Sequence, residues 1–263
     1  MKKAFILILA LCLLAAMPAL AADYSNAFTN FDQRDNWTEA VIITFNNDGV
    51  LVNGSGVTAD GTTVYITAHG TYMLSGSCDN GQVVVELSKE EKAQLVLGGL
   101  TLAPGSVNTL ADGAAYTRAF EKAPNACRCS RDDLTINGSG ELIVTSLYNN
   151  GIGCKNDLKI VSGTVSVTAP KNALKGNDSV AIKDGILTLN AGKDGIKADN
   201  ADEPGKGYVY VAGGTITITA GDDAIQGQQD ITVSGGSIAV DAQGKTINSK
   251  GTQDILSGTV SKK

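Results

Sequence analysis

The chain has 263 residues, of which 21 are basic and 27 acidic, for a net charge of −6. Glycine is frequent, at 31 residues, and aromatic residues make up only 5%. An acidic chain of this kind is unsuited to nucleic acid or an anionic membrane surface, and so few aromatic rings leave little for stacking on flat sugar faces.

The N-terminus opens with Lys2 and Lys3, continues as an apolar run from Ala4 to Ala16 and ends in Ala19-Leu20-Ala21. This pattern predicts a secretory signal peptide over residues 1–21, cleaved after Ala21. The run is too short to span a bilayer, and Cys12 lies inside it, which speaks against lipidation. The mature chain is therefore expected to be secreted, with no membrane anchor. Its 19 remaining basic residues face 27 acidic ones, a net charge of −8.

Residues 22–40 hold the only tryptophan, Trp37, with Phe28 and Phe31. They are expected to cap a stack of strands, whose end otherwise exposes edges and apolar core. From Val41 short apolar alternations follow: Val41-Ile42-Ile43, Val50-Leu51-Val52, Val64-Tyr65-Ile66, Met73-Leu74, Val83-Val84-Val85 and Leu95-Val96-Leu97. These fit two or three irregular rungs. Residues 104–125, with Pro104-Gly105 and Pro124, are expected to form a loop that interrupts the stack.

Beyond Asn125 the chain keeps a beat. Asn150-Gly151-Ile152, Asn172-Ala173-Leu174, Asp194-Gly195-Ile196, Asp223-Ala224-Ile225 and Lys245-Thr246-Ile247 start at steps of 22, 22, 29 and 22 residues. Gly140, Gly163, Gly185, Gly214, Gly236 and Gly258 keep the same phase, at steps of 23, 22, 29, 22 and 22. Two markers in phase indicate a repeat. Each copy holds three short alternations of β-branched and aliphatic residues, separated by Gly, Asn and Asp, which predicts strands. A unit of this size cannot bury an apolar face alone, so copies must stack. The fold class is therefore all-β: a parallel β-helix over residues 41–263, a solenoid with about 22 residues per rung. An antiparallel sandwich is the competing architecture.

Ile66-Thr67-Ala68-His69-Gly70-Thr71-Tyr72-Met73-Leu74-Ser75-Gly76, Asp133-Leu134-Thr135-Ile136-Asn137-Gly138-Ser139-Gly140 and the Asp-Gly-Ile rungs carry a family resemblance. The chain resembles a secreted carbohydrate-binding β-helix family, itself similar in fold to calcium-dependent pectate lyases, over roughly residues 40–245. The resemblance implies a right-handed parallel β-helix that holds calcium and binds plant-type polysaccharide, acidic polymers included. The chain departs from that pattern in three places. Leu95–Thr101 runs straight into Leu102-Ala103-Pro104-Gly105, and Asn172 and Lys245 stand where an aspartate is expected.

Parallel stacking sets equivalent residues about 4.8 Å apart, so Asp194 lies under Asp223. Like charges in register repel unless a cation relieves them, and calcium takes six to eight oxygens. The candidate metal ligands are Asp194, Asp222 and Asp223, with Asp199, Asn200 and Asp202 from the longer rung and Asp178 one rung before. The alternative is that these are ordinary turn residues. Lys175 and Lys197 stand three residues after their openers and are the candidate ligand-binding groups. A lyase would use one of them to take a proton from a uronate acidified by calcium; otherwise they neutralise an acidic edge. His69, the sole histidine, gives weak support to a catalytic triad. Cys129 and Cys154 each stand four residues after an opener, which predicts a disulfide between adjacent rungs; buried thiols are the alternative. The function expected is calcium-assisted binding of an extracellular polysaccharide, acidic polymers included. Its rivals are a polysaccharide lyase and a structural or adhesive surface protein.

Overall fold

The computed structural model describes residues 23–24, 26–78, 82–88, 91–102, 126–130, 133–146 and 149–263. The expected leader over residues 1–21 and the expected loop over 104–125 lie outside them. The described residues are all-β, and most of their strands run parallel. No helix among them is long and apolar enough to cross a membrane.

From Leu134 onward the chain passes in turn through three sheets. One pass is called a rung below. Leu134–Gly138, Asp157–Ile160, Ser179–Ile182, Tyr208–Val211, Ile231–Val233 and Gln253–Ile255 belong to a ten-stranded sheet. Glu141–Thr145, Thr164–Ala169, Ile186–Ala191, Thr215–Ala220, Ser237–Ala242 and Thr259–Lys262 form a six-stranded sheet whose outer face carries Thr215, Thr217 and Thr219. Asn150–Cys154, Leu174–Gly176, Ile196–Ala198, Ile225–Gly227 and Ile247–Ser249, with Ala126–Ser130, form a sheet of short strands. The arrangement is β-helix-like, and nothing of a sandwich is present among the described residues.

Register explains why the sequence has its beat. Leu174 lies beside Ile196, Ile196 beside Ile225 and Ile225 beside Ile247. Val165, Leu187, Ile216, Ile238 and Val260 form another such column. These side chains point inward. All are buried except Ile247 and Val260, which are only partly covered on the last rung. Each fully buried one contributes about 1.5–3 kcal/mol. Shifting one rung by a single residue would turn a whole row outward, so the interval is tightly held. Gly163, Gly185, Gly214 and Gly236 sit at φ of +108°, +123°, +91° and +84°. L-residues rarely adopt that backbone, which accounts for these four positions of the second marker.

The N-terminal third differs from expectation. Val41–Asn46 pairs antiparallel with Gly49–Asn53, and Val57–Asp60 antiparallel with Thr63–Ile66. Asn47-Asp48 and Gly61-Thr62 are two-residue hairpin loops, a turn chemistry that favours folding back over coiling onward. The degenerate rungs expected here thus include two hairpins, and one strand of each hairpin also stacks parallel: Val41–Asn46 on Gly70–Cys78 and Thr63–Ile66 on Gln82–Val85.

Tyr24 and residues 26–34 fall within the segment expected as a cap. They lie as a strap along the outer face of the ten-stranded sheet. Asp32, fully buried, accepts from Lys159 Nζ at 3.0 Å, Thr135 Oγ1 at 2.5 Å and the Thr29 backbone N–H at 2.7 Å. Gln94 Nε2 donates to the carbonyl of Asp32 at 2.8 Å, and Asn137 Nδ2 to that of Arg34 at 3.1 Å. Phe28 packs with Val161 and Ala181, and Tyr24 stacks on Tyr208 at 4.2 Å. That face carries Ala181, Val161 and tyrosine rings, apolar surface that the strap covers. Trp37 is half-buried where the strap leads into the first strand.

Candidate functional site

The short-strand sheet builds the site. Its strands are only three residues long from Leu174 onward, so each ends in two corners about 10 Å apart. The middle residue of each strand faces outward. Lys175 pairs in register with Lys197, Lys197 with Gln226 and Gln226 with Asn248. This column of amines and amides forms a floor between the corners.

At the first corner stand the rung openers Asn150, Asn172, Asp194 and Asp223, all buried. Each side chain accepts a backbone N–H from the rung after it. Asn150 Oδ1 takes Asn172 N–H at 3.1 Å, and Asn172 Oδ1 takes Asp194 N–H at 3.2 Å. Asp194 Oδ1 takes Asp223 N–H at 3.2 Å, and Asp223 Oδ1 takes Lys245 N–H at 2.8 Å. The openers therefore lock rung to rung, so part of the signal is structural. The second carboxylate oxygens turn outward. Asp194 Oδ2 meets Lys197 Nζ at 2.8 Å, and Asp223 Oδ2 meets Asn248 Nδ2 at 2.5 Å. Asp222 is exposed beside them. Ligand oxygens of Asp194, Asp222 and Asp223 all lie within 4.8 Å of one another. Three carboxylates against one ammonium suit a hard cation, whose remaining oxygens must come from water or ligand.

The second corner is neutralised from within. Asp178 accepts from Asn200 Nδ2 at 2.7 Å and pairs with Lys206 Nζ at 2.9 Å. Lys206 also pairs with Glu203 at 2.7 Å. These bonds raise the Lys206 pKa, and the Lys206 bond holds the Glu203 carboxyl below its ordinary value. Asn200 Oδ1 accepts the N–H groups of Asp202 and Glu203, each at 3.1 Å, and so closes the turn of the seven-residue insert. Asp199 pairs with Lys175 at 2.7 Å. The seven residues expected to share one ion are thus divided. Asp194, Asp222 and Asp223 come together; Asp178, Asp199, Asn200 and Asp202 stand at the other corner with lysines of their own. The expectation of a single acidic edge is corrected because a three-residue strand separates the two groups.

Both candidate ligand-binding lysines face outward, in register, but reach in opposite directions: Lys197 to the first corner, Lys175 to the second. Gln226 Oε1 and Asp199 Oδ1 are buried oxygens without a hydrogen-bond partner beside this floor. The sequence reading missed Gln226, Asn248 and Lys206. Gln226 and Asn248 share the offset from their openers that singled out Lys175 and Lys197, so the register marked them. Lys206 had no such mark.

His69 is exposed. It accepts the Lys92 N–H at 3.1 Å and stacks on Phe31 at 4.9 Å, which makes it a strap contact. The side chain of Cys129 lies outside the described ones. The backbone register shifts there and sets Cys154 opposite Ser130, while Cys154 Sγ donates to the Asp157 carbonyl at 3.3 Å.

Comparison with known proteins adds three findings. The model of the family described as carbohydrate-binding domain-containing protein matches residues 60–103 and 99–262. A carbohydrate-binding domain-containing protein of Acetivibrio thermocellus is 40% identical over 152 residues, covering 48% of this chain and 52% of that protein, so the chain spans about half the length of that relative. The solved structure of the polysaccharide lyase-like protein from C. thermocellum, a gadolinium derivative, is 37% identical with a TM-score of 0.69 and covers 84% of this chain and 99% of the other. The family match runs through the three-sheet stack and the corners just described, and the chain belongs to the carbohydrate-binding domain-containing protein family.

Proposed function

We propose that this chain is a secreted, right-handed parallel β-helix of about 22 residues per rung that binds acidic polysaccharide with the help of calcium. The observation that carries the reading is the trio Asp194, Asp222 and Asp223, whose oxygens lie within 4.8 Å of one another beside an outward column of lysines and amides. A chain with net charge −6 repels an acidic polymer unless a cation stands between them. Calcium at the trio would supply that charge, held by the outward oxygens of Asp194 and Asp223 and by Asp222. Lys197, which now neutralises Asp194, would be released to face a carboxylate of the polymer. Lys175 and Gln226 extend the same floor along the stack. The related gadolinium derivative fits the reading, since gadolinium is also a hard cation that prefers oxygen ligands.

Binding to a glycan array in calcium, repeated with chelator, tests the proposal. Retention of uronate-containing polymers that disappears with chelator is the expected result; equal binding in both buffers removes calcium from the account. A lyase is the second reading, favoured by Lys197 lying 2.8 Å from a carboxylate of the trio. Incubation with calcium and polygalacturonate distinguishes the two. Binding alone predicts no ultraviolet-absorbing unsaturated product, and steady product formation that is lost in Lys197→Ala would establish the lyase.

A further inference from the structure

The floor between the two corners is short of hydrogen-bond donors. Lys175 Nζ is committed to Asp199 Oδ2 at 2.7 Å, Lys197 Nζ to Asp194 Oδ2 at 2.8 Å and Asn248 Nδ2 to Asp223 Oδ2 at 2.5 Å. Among the described residues, nothing donates to Asp199 Oδ1 or Gln226 Oε1, although both oxygens are buried. Such an acceptor has lost its hydrogen bonds to water and gained none in return. A ligand group that answers it must donate. A carboxylate or an ether oxygen cannot, and a hydroxyl can.

Position says which hydroxyl. Gln226 stands on the floor in register with Lys197, and Asp199 follows Ala198, the last residue of its strand, at the second corner. Both side chains are only partly covered. The last torsions of Asp and Gln turn broadly, so a ligand on the floor can reach either oxygen. In a 1,4-linked uronate the carboxylate borne by C5 and the hydroxyls on C2 and C3 lie on opposite sides of the chain axis. A ring whose carboxylate meets calcium at Asp194, Asp222 and Asp223 therefore turns its hydroxyl edge across the floor, toward Gln226 and Asp199.

We propose that Asp199 and Gln226 set specificity by accepting hydrogen bonds from the free C2 and C3 hydroxyls of a bound polyuronate, so that the chain takes the unacetylated polymer and rejects one acetylated on those oxygens. The inference rests on the calcium-assisted reading above and deepens it. Calcium and Lys197 answer the carboxylate of a ring, and the two acceptors answer its other edge.

The two edges are read separately. Acetylation of the hydroxyls leaves every carboxylate of the polymer in place, so attraction through calcium is untouched. It removes the donors, and Asp199 Oδ1 and Gln226 Oε1 stay unanswered beneath the ligand. A site built to hydrogen-bond a hydroxyl rejects an analogue that lacks it, because its own buried polar groups are then left unpaired. Gln226 is the cleaner probe of the two, since Asp199 also holds Lys175.

Titration calorimetry in calcium compares polygalacturonate with polygalacturonate acetylated on the C2 and C3 hydroxyls. The unmutated protein should bind the acetylated polymer about tenfold more weakly or worse. Gln226→Met removes one acceptor and should narrow that ratio to about threefold. Gln226→Lys repeats the residue that the column already carries at Lys175 and Lys197, so it should bind both polymers more tightly and tell them apart less well. Equal binding of both polymers by the unmutated protein overturns the proposal and leaves the calcium reading standing. A preference that survives undiminished in both variants also overturns it, by showing that the bulk of the acetyl groups excludes the polymer. Binding of neither polymer overturns both readings, whereas a preference that persists in chelator removes calcium from the account and keeps the two acceptors.

Discussion

The two corners of the short-strand sheet carry similar chemistry and reach opposite electrostatic ends. At one, Asp194, Asp222 and Asp223 share a single ammonium, that of Lys197. At the other, Asp178 and Glu203 share Lys206, and Asp199 has Lys175. Carboxylate density alone does not make a cation site. What decides it is how many lysines reach in: Lys175 and Lys206 do so at the second corner, Lys197 alone at the first. The first corner keeps its excess negative charge because its outward oxygens outnumber the cations within reach.

The largest effect that follows is on calcium. An ion bound only by the folded state adds about 2.7 kcal/mol at a hundredfold excess over Kd. Asp194→Asn should abolish the calcium-dependent rise in melting temperature while keeping the rung-to-rung bond, since Asn172 makes the same bond one rung earlier. Asp178→Asn should leave the rise intact. If both variants lose it, the two corners act as one site and the comparison fails. If EDTA leaves the melting temperature of the unmutated protein unchanged, the openers are locks between rungs and nothing more.

A somewhat smaller effect is expected of Asn172→Asp. Its Nδ2 donates to Asn150 Oδ1 at 2.8 Å, and a carboxylate there would face that oxygen with no proton to offer. Losing a buried donor this way costs about 1–3 kcal/mol. Thermal melts should show the loss without calcium and a partial recovery with it, because the new charge extends the first corner by one rung.

Lys206→Met sharpens the comparison from the other side. It leaves Asp178 and Glu203 without their shared ammonium, so titration calorimetry should find a second, weaker calcium event. An unchanged stoichiometry would mean that the second corner lacks the geometry for an ion even when its charge is freed.

The smallest effect is in pH. The bond from Lys206 depresses the Glu203 pKa, so the stability this pair contributes is present above the ordinary carboxylate range of about 4.3 and is lost as pH falls through the lower folded value. A carboxyl titration by NMR should place the Glu203 midpoint below that range and move it back up in Lys206→Met. An unshifted midpoint would show that the pair is too solvated to matter.

The beat of openers and turn glycines, the inward columns such as Leu174, Ile196, Ile225 and Ile247, and the outward partnership of Lys175 with Lys197 were all legible in the sequence. They depend on interval alone, and in a stack of parallel strands interval is register. The same rule brought Asp194 and Asp223 together. What interval cannot express was decided by tertiary structure. The strap is set by Asp32 meeting Lys159, 127 residues away, and by Tyr24 meeting Tyr208, contacts with no periodic trace. The hairpins before Ile66 answer to two-residue turn chemistry, which acts locally and overrides the alternation around it. The division of the carboxylates between two corners followed from side-chain reach: Lys206 bends back to Asp178, and Lys197 turns to its own opener. Sequence by itself determined which residues share a column; only the folded chain decided which charges in neighbouring columns cancel, because a lysine side chain spans columns that the backbone register keeps apart.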